Sequence, residues 1–271
     1  MNLDFLEVIN PNINRNYIIM QIEEHLVSII TPSYNSEKFI SETINSITKQ
    51  TYTNWELLIT DDLSTDNTIE IVESYVKNDS RIKLFKLEKN SGAGIARNFS
   101  INKAQGRYIA FCDSDDQWKK NKLEFQLKFM KKNNLVFSFT DYDIIDERGV
   151  FKGHIKCPKI LTYNKLLKNN YVGCLTVIYD TKTLGKLLMP KIRKRQDWVL
   201  WLSIMKKIIL TKGLSTSLSI YRDRIHSISS SKFDLLKYNW SVYHKELGFN
   251  KIMSFYYLIV FIFHYFLKKT I

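Results

Sequence analysis

The sequence predicts an α/β fold built on a mainly parallel central sheet, and three observations carry that reading. Short apolar runs at 27–31, 55–60, 82–85 and 108–111 alternate with longer stretches of helical period. Each run stops abruptly in turn residues or carboxylates. The pace of the alternation matches right-handed βαβ units, whose strands lie parallel. At 271 residues the chain is one large domain, or one domain with an appendage.

Residues 1–26 are polar and aperiodic and read as an irregular extension. Asp4 and Glu7 interrupt any apolar core of a signal peptide there. Residues 27–31 form the first strand, which the loop Pro32-Ser33-Tyr34-Asn35-Ser36 stops. Ser36 and Glu37 open a helix with Phe39, Ile40, Ile44 and Ile47 at helical spacing. The strand at 55–60 ends in Asp61-Asp62. Ser64-Thr65-Asp66 caps a helix whose apolar positions are Ile69, Val72 and Val76. After the strand at 82–85, Asn90-Ser91-Gly92-Ala93-Gly94 turns into a helix carrying Arg97.

Tyr108-Ile109-Ala110-Phe111-Cys112 then runs into Asp113-Ser114-Asp115-Asp116. A strand buried on both faces that ends in three carboxylates places them where open α/β sheets bind ligands. Three like charges so close call for a cation. Hard oxygen ligands suit Mg2+ or Mn2+, which take one or two carboxylates and complete their shell with water and phosphate oxygens. A solvated acidic turn is the plain alternative, and the junction with a buried strand ranks it second.

Beyond this point the alternation fades and a more mixed second half is expected. Residues 119–132 form a basic amphipathic helix with Leu123, Leu127 and Met130 inward, and 135–140 a strand. Asp146-Glu147-Arg148-Gly149 reads as a hairpin turn. Residues 162–167 read as helix, 175–179 as strand, 197–205 as a buried helix and 218–222 as a last strand. Residues 223–232, rich in Ser, Arg and His, read as a mobile loop. Phe233, Leu236, Trp240, Tyr243 and Leu247 recur at helical spacing.

Net charge is +13, which points to anionic partners. Nine basic residues and one acid, Asp197, lie between 181 and 212. The three cysteines, Cys112, Cys157 and Cys174, have no metal-ligand spacing and suit a reducing compartment. No stretch reaches the ~18–20 apolar residues of a spanning helix. Residues 255–267 come nearest, with 13, and are followed by Lys268-Lys269. A helix of that length is about 20 Å long. Its aromatics and lysines suit an interfacial helix on an anionic leaflet, with a core or dimer seam weighed almost equally.

In a parallel sheet four loops emerge on one edge: 31–35, Asp61-Asp62, 90–97 and 113–116. They offer a flat aromatic (Tyr34), acceptors for a base or ribose (Asp61, Asp62), a cation for phosphate (Arg97) and a metal site. That is an inventory for a nucleoside diphosphate. Singly each is weak: Tyr34 suits packing, Asp62 a turn, and Gly92 and Gly94 a helix start. Neither the Walker pattern nor the dinucleotide fingerprint is present.

The motifs Thr31-Pro32-Ser33-Tyr34-Asn35, Asp61-Asp62-Leu63-Ser64-Thr65-Asp66, Asn90-Ser91-Gly92 with Ala96-Arg97-Asn98, and Phe111-Cys112-Asp113-Ser114-Asp115-Asp116 resemble the nucleotide-binding half of the inverting family-2 glycosyltransferases, which have a GT-A fold. The resemblance implies that Thr31, Tyr34 and Asp62 hold uracil, with Ser33 and Ser114 in the same nucleotide-binding motifs. It implies Arg97 on the nucleotide, Asp113 toward the ribose and Asp115 on the metal, with Asp61 and Asp116 as neighbouring candidates. Leu63 departs from the family, which usually has Gly there. Gln196-Asp197-Trp198 resembles the motif in which an Asp at a helix start is the general base, so Asp197 is the expected base and Gln196 and Trp198 are further candidates. A lone acid among cations suits a carboxylate, and the alternative is an ordinary first-turn acid favoured by the helix dipole. Tyr221-Arg222 and Ser227-Ile228-Ser229 resemble a donor-covering loop. Members of the family often carry His three residues after that Tyr, where this chain has Arg224, so Arg224 or His226 is expected at the diphosphate, and Arg222 is a further candidate.

Together with these readings, the resemblance implies a metal-dependent inverting glycosyltransferase using a UDP-sugar, with Mn2+ or Mg2+, of the kind that similar bacterial members use in O-antigen, capsule or related surface polysaccharide synthesis. The expected acceptor is a saccharide, carried on undecaprenyl diphosphate. The expected place is the cytoplasm, on the inner face of the cytoplasmic membrane, and no nucleic-acid partner is expected. The domain reading is an extension at 1–26, a catalytic domain at 27–222 split at 118 into nucleotide and acceptor halves, and a lid loop with C-terminal helices at 223–271. The rivals are a sugar-nucleotide nucleotidyltransferase, which needs a Gly-rich loop after the first strand, a basic nucleic-acid-binding module, and a scaffold without catalysis.

Overall fold

A computed structural model describes residues 25–224 and 232–269. Strands β1 (Val27–Ser33), β2 (Trp55–Asp61), β3 (Ile82–Lys86) and β4 (Tyr108–Phe111) lie parallel, in the spatial order β3-β2-β1-β4. Helices α1 (Ile40–Thr48), α2 (Thr68–Asn78) and α3 (Ala93–Lys103) make the crossovers. With β1 between β2 and β4, the strand order reverses there, and the loops after β1 and β4 border one crevice.

The second half adds β5 (Gln117–Trp118), α4 (Lys122–Lys132), β6 (Phe137–Ile145), β7 (Phe151–Ile155), β8 (Ile160–Leu161) and α5 (Tyr163–Lys168). After a 3-10 turn at Cys174–Thr176 come β9 (Ile178–Asp180), α6 (Thr181–Leu184), α7 (Gln196–Met205) and β10 (Thr211–Arg222). Last are α8 (Lys232–Ser241), a π turn at Val242–Glu246 and α9 (Lys251–Lys269). The sheet continues past β4 as β9-β6-β10-β5, with β9 antiparallel to both neighbours. Parallel pairing thus holds through the first four strands and gives way to a mixed sheet. The expected hairpin at 146–149 joins β6 to β7, closed by Asp146 N–H donating to Val150 O at 2.9 Å.

Three boundaries differ from expectation. The first helix starts at Ile40 rather than at Ser36, whose N–H donates to Thr68 Oγ1 at 2.7 Å, a bond between separate elements. The strand expected at 175–179 begins as the 3-10 turn and pairs only from Ile178. The last strand runs back to Thr211, with irregular register between Leu214 and Ser219.

Alternation along the strands divides the core between two faces. Ile30, Leu58, Ile109 and Phe111 face one side, and Ile29, Leu57, Ile59, Ala110 and Cys112 the other. The first side carries a further layer. Trp201 of α7 packs on Phe111 and Phe137, while Trp198 packs on Tyr243 and on Phe261 of α9. A helix apolar on all sides is stable here because sheet and C-terminal helices cover it from both directions. The outer face of α9 is uncovered: Ile252, Phe255, Tyr256, Ile259 and Phe263 are exposed. No helix among the described residues is long and apolar enough to cross a membrane.

Candidate active site

The turn after β4 holds its three carboxylates apart, each on a different partner. Asp113 takes both its bonds from one nitrogen of Arg97, each at 2.7 Å. Asp115 pairs with Nε of Arg224 at 2.7 Å. Asp116 Oδ1 accepts from the Arg222 backbone N–H at 3.0 Å. Burial pushes the Asp115 carboxyl up, Arg224 pulls it back, and Asp113 raises it again. Burial, then Asp115 and Asp113, push Asp116 well above the ordinary carboxylate range. Even with Arg97, Arg222 and Arg224 against the turn, burial and mutual repulsion disfavour its anionic carboxylates. A hard divalent ion held by one carboxylate and by ligand oxygens fits this donor set. Among the described residues no group of three or more His, Cys, Asp or Glu forms a closed metal cage.

The loops after β1 and β2 form the other side of the crevice. Tyr34 is half exposed, at 49%. Among the described residues Thr31 Oγ1 and Ser33 Oγ are buried without a hydrogen-bond partner, a state that native proteins seldom tolerate without a ligand or water. Asp61 accepts from the Ser64 N–H and hydroxyl at 2.8 and 2.5 Å. Asp62 accepts from the N–H groups of Ser91 and Gly92, both at 2.7 Å, so it fixes the turn that precedes α3. Leu63 is left-handed, with φ 69°, which explains why glycine suits the position. Ser114 Oγ lies 2.7 Å from Ser36 Oγ and ties the β4 turn to the β1 loop.

Arg97 joins this side to the start of α7. It is 9% exposed, and its second nitrogen donates to Gln196 Oε1 at 3.3 Å. Burial alone would lower its proton affinity, but Asp113 raises it beyond that of an ordinary arginine. Gln196 sits so close to α3 that a Cβ on Gly94 would lie 2.7 Å from its side-chain atoms. Gly94 is thus needed for packing against the site as well as for a helix start. Asp197 follows in the first turn of α7, half-buried, and its Oδ2 accepts from Asn170 Nδ2 at 3.1 Å.

The remaining candidates fall elsewhere. Trp198 is wholly buried, donates to Leu166 O at 2.9 Å and belongs to the core under α9. Arg222 is 2% exposed, donates to Asp115 O at 3.1 Å and pairs with Glu42 at 2.6 Å, so it braces the carboxylate turn from behind. His226 and most of the expected loop at 223–232 lie outside the described residues. Sequence reasoning missed Asn170 and Glu42, which no local motif marks. It also missed the reciprocal pair in which Asn98 donates to Met189 O at 2.9 Å and accepts from Met189 N–H at 2.7 Å.

The glycosyl transferase family 2 profile matches residues 28–184. The chain belongs to that family. It is 48% identical to the putative teichuronic acid biosynthesis glycosyltransferase TuaG of Bacillus subtilis, over 80% of this chain and 87% of TuaG. It is 46% identical to WfgD of Escherichia coli, a UDP-Glc:alpha-D-GlcNAc-diphosphoundecaprenol beta-1,3-glucosyltransferase, over 89% of this chain and 94% of WfgD. The structure of S. aureus TarS 1-349 in complex with UDP-GlcNAc matches with TM-score 0.68 and 25% identity, covering 87% of this chain and 71% of that one. The mannosyltransferase PcManGT of Pyrobaculum calidifontis, at 15% identity and TM-score 0.60 over 86% of this chain and 70% of its own, shares the fold. The chain is a glycosyltransferase, and the α/β expectation is met in its GT-A form.

Proposed function

We propose that this glycosyltransferase moves a hexosyl or N-acetylhexosaminyl group from a UDP-sugar, with inversion, to a saccharide on a lipid diphosphate, in bacterial surface polysaccharide synthesis. One observation carries the reading. Arg97 grips Asp113 on the nucleotide side and Gln196 on the acceptor side, so donor loops and the start of α7 form one site. The similarity to WfgD favours glucose as the sugar and an N-acetylglucosaminyl diphospholipid as acceptor.

In this reading Thr31, Ser33, Tyr34 and Asp62 hold the base, and the unpartnered hydroxyls of Thr31 and Ser33 receive its polar edge. Asp113 and Ser114 face the ribose, and Arg97 holds Asp113 in place. Asp115 would hold Mn2+ or Mg2+, which would offset charge building on the departing diphosphate. Asp197 takes the proton of the acceptor hydroxyl as it attacks the anomeric carbon from the face opposite the diphosphate, and a single displacement of this kind inverts the centre. Residues 27–118 then serve the nucleotide and 119–222 the acceptor. The exposed stripe of Ile252, Phe255, Ile259 and Phe263, on a chain of net charge +13, suits an anionic membrane surface, where a lipid-linked acceptor lies.

A transfer assay with Mn2+, a panel of UDP-sugars and an N-acetylglucosaminyl diphospholipid tests the proposal. Asp197→Asn should lose nearly all transfer, leaving a small residual rate, and keep UDP affinity. Lost UDP affinity in that variant would assign Asp197 a structural role. Phe255→Glu combined with Phe263→Glu should release the protein from anionic vesicles in flotation. Equal flotation of the two proteins would remove the membrane surface from the account.

A further inference from the structure

The side chain of Asp197 has a defined neighbour. Its Oδ2 accepts from Asn170 Nδ2 at 3.1 Å, across 27 positions of sequence. Among the described residues no other side chain donates to this carboxylate. The orientation of the Asn170 amide is itself determined. Val172 N–H donates to Asn170 Oδ1 at 3.2 Å, so the oxygen faces the backbone and the NH2 faces Asp197. The loop that carries Asn170 follows α5, and α5 is anchored to α7 and the C-terminal segment. Trp198 Nε1–H donates to Leu166 O at 2.9 Å, and the Tyr243 hydroxyl donates to Leu167 O at 2.6 Å. Consecutive residues of α7, Asp197 and Trp198, thus grip one short stretch of chain.

We infer that Asn170 is a positioning residue for the base: it holds Oδ2 so that Oδ1 is presented to the acceptor hydroxyl. This rests on the proposed role of Asp197. A carboxylate that turns freely spends little time aligned with the attacking oxygen, and misplacement of a catalytic group costs rate rather than binding. The amide donor is itself uncharged, so it orients Asp197 without adding a counter-charge.

Asn170→Asp gives a clean test. It keeps an oxygen for Val172 N–H and turns the donor facing Asp197 into an acceptor. The variant should lose at least tenfold in kcat for transfer, with KM for the UDP-sugar within twofold and with UDP affinity unchanged. Asn170→Ala should lose about threefold to tenfold, and it decides the matter if the aspartate variant does not fold. In an Asp197→Asn background, either change should alter the residual rate less than twofold, because there is no base left to orient. Wild-type kcat in Asn170→Asp, or an equal fall in both backgrounds, would overturn the inference. So would lost UDP affinity, which would make Asn170 part of the general scaffold. Full transfer by Asp197→Asn alone would instead overturn the base assignment beneath it, and the two failures are distinguishable.

Discussion

Replacing Arg97 by methionine removes a side chain that joins the two halves of the site. The guanidinium is almost wholly enclosed and donates twice to Asp113 and once to Gln196. Breaking a buried ion pair by deleting one member costs about 3–5 kcal/mol. Asp113 keeps 31% of its side chain exposed, so water recovers part of its loss, and the charged bonds are better set at about 2 kcal/mol. Gln196, 8% exposed, loses a donor to its oxygen, worth about 1 kcal/mol. The sum is about 3 kcal/mol. With a urea m value of about 3 kcal/mol/M, the unfolding midpoint of Arg97→Met should fall by about 1 M. Tryptophan fluorescence follows the transition, since Trp198 and Trp201 are buried in α7. A fall below about 0.3 M, or under ~1 kcal/mol, would refute the reasoning that this bridge organises the site.

Two further perturbations probe strain and charge. Leu63 holds φ 69° on an exposed turn, where a left-handed leucine costs about 1–2 kcal/mol and glycine's chain entropy returns about 0.5–1. Leu63→Gly should therefore stabilise by about 0.5 kcal/mol in urea unfolding, and a loss of about 1 kcal/mol would contradict the assignment of strain. Lys122 is enclosed beside Trp118, with Nζ 2.7 Å from Gln126 Oε1, and burial pushes its amine down to about 7 despite the opposing Cys112. The unfolded chain keeps that proton to about pH 10.4, so between about 7 and 10 it binds more protons than the folded one and stability rises with pH. Urea midpoints of the wild type should climb relative to Lys122→Met across that window, and parallel trends in the two proteins would contradict the burial effect.

The first half of the fold was legible because each βαβ unit is local. Apolar runs, their carboxylate ends and the following caps lie within about thirty residues of one another, and the observed strands β1 to β4 include the expected ones. The second half was less legible because its elements depend on distant partners. The start of β10 is polar, with Ser215, Thr216 and Ser217 in a bulged stretch, and it is a strand because β6 and β8 pair with it. Trp198 adjoins the proposed base in sequence, yet helical geometry turns it toward Tyr243 and Phe261. In the sequence, residues 255–267 are an almost unbroken apolar run with no evident polar face. Burial of Phe261 and Ser254 beside exposed Phe255 and Phe263 divides it into a packed face and an open one. Asn170 carries no signal of its own, because its meaning arises only where the loop after α5 meets the start of α7.

The central claim is that the turn after β4 accepts a nucleoside diphosphate together with a divalent ion gripped by Asp115. Isothermal titration of UDP into the protein with Mn2+, with chelator, and into Asp115→Ala with Mn2+ tests it directly. Affinity should fall at least tenfold in the last two cases and equally in both. UDP binding that is indifferent to chelator and to Asp115 would contradict the claim.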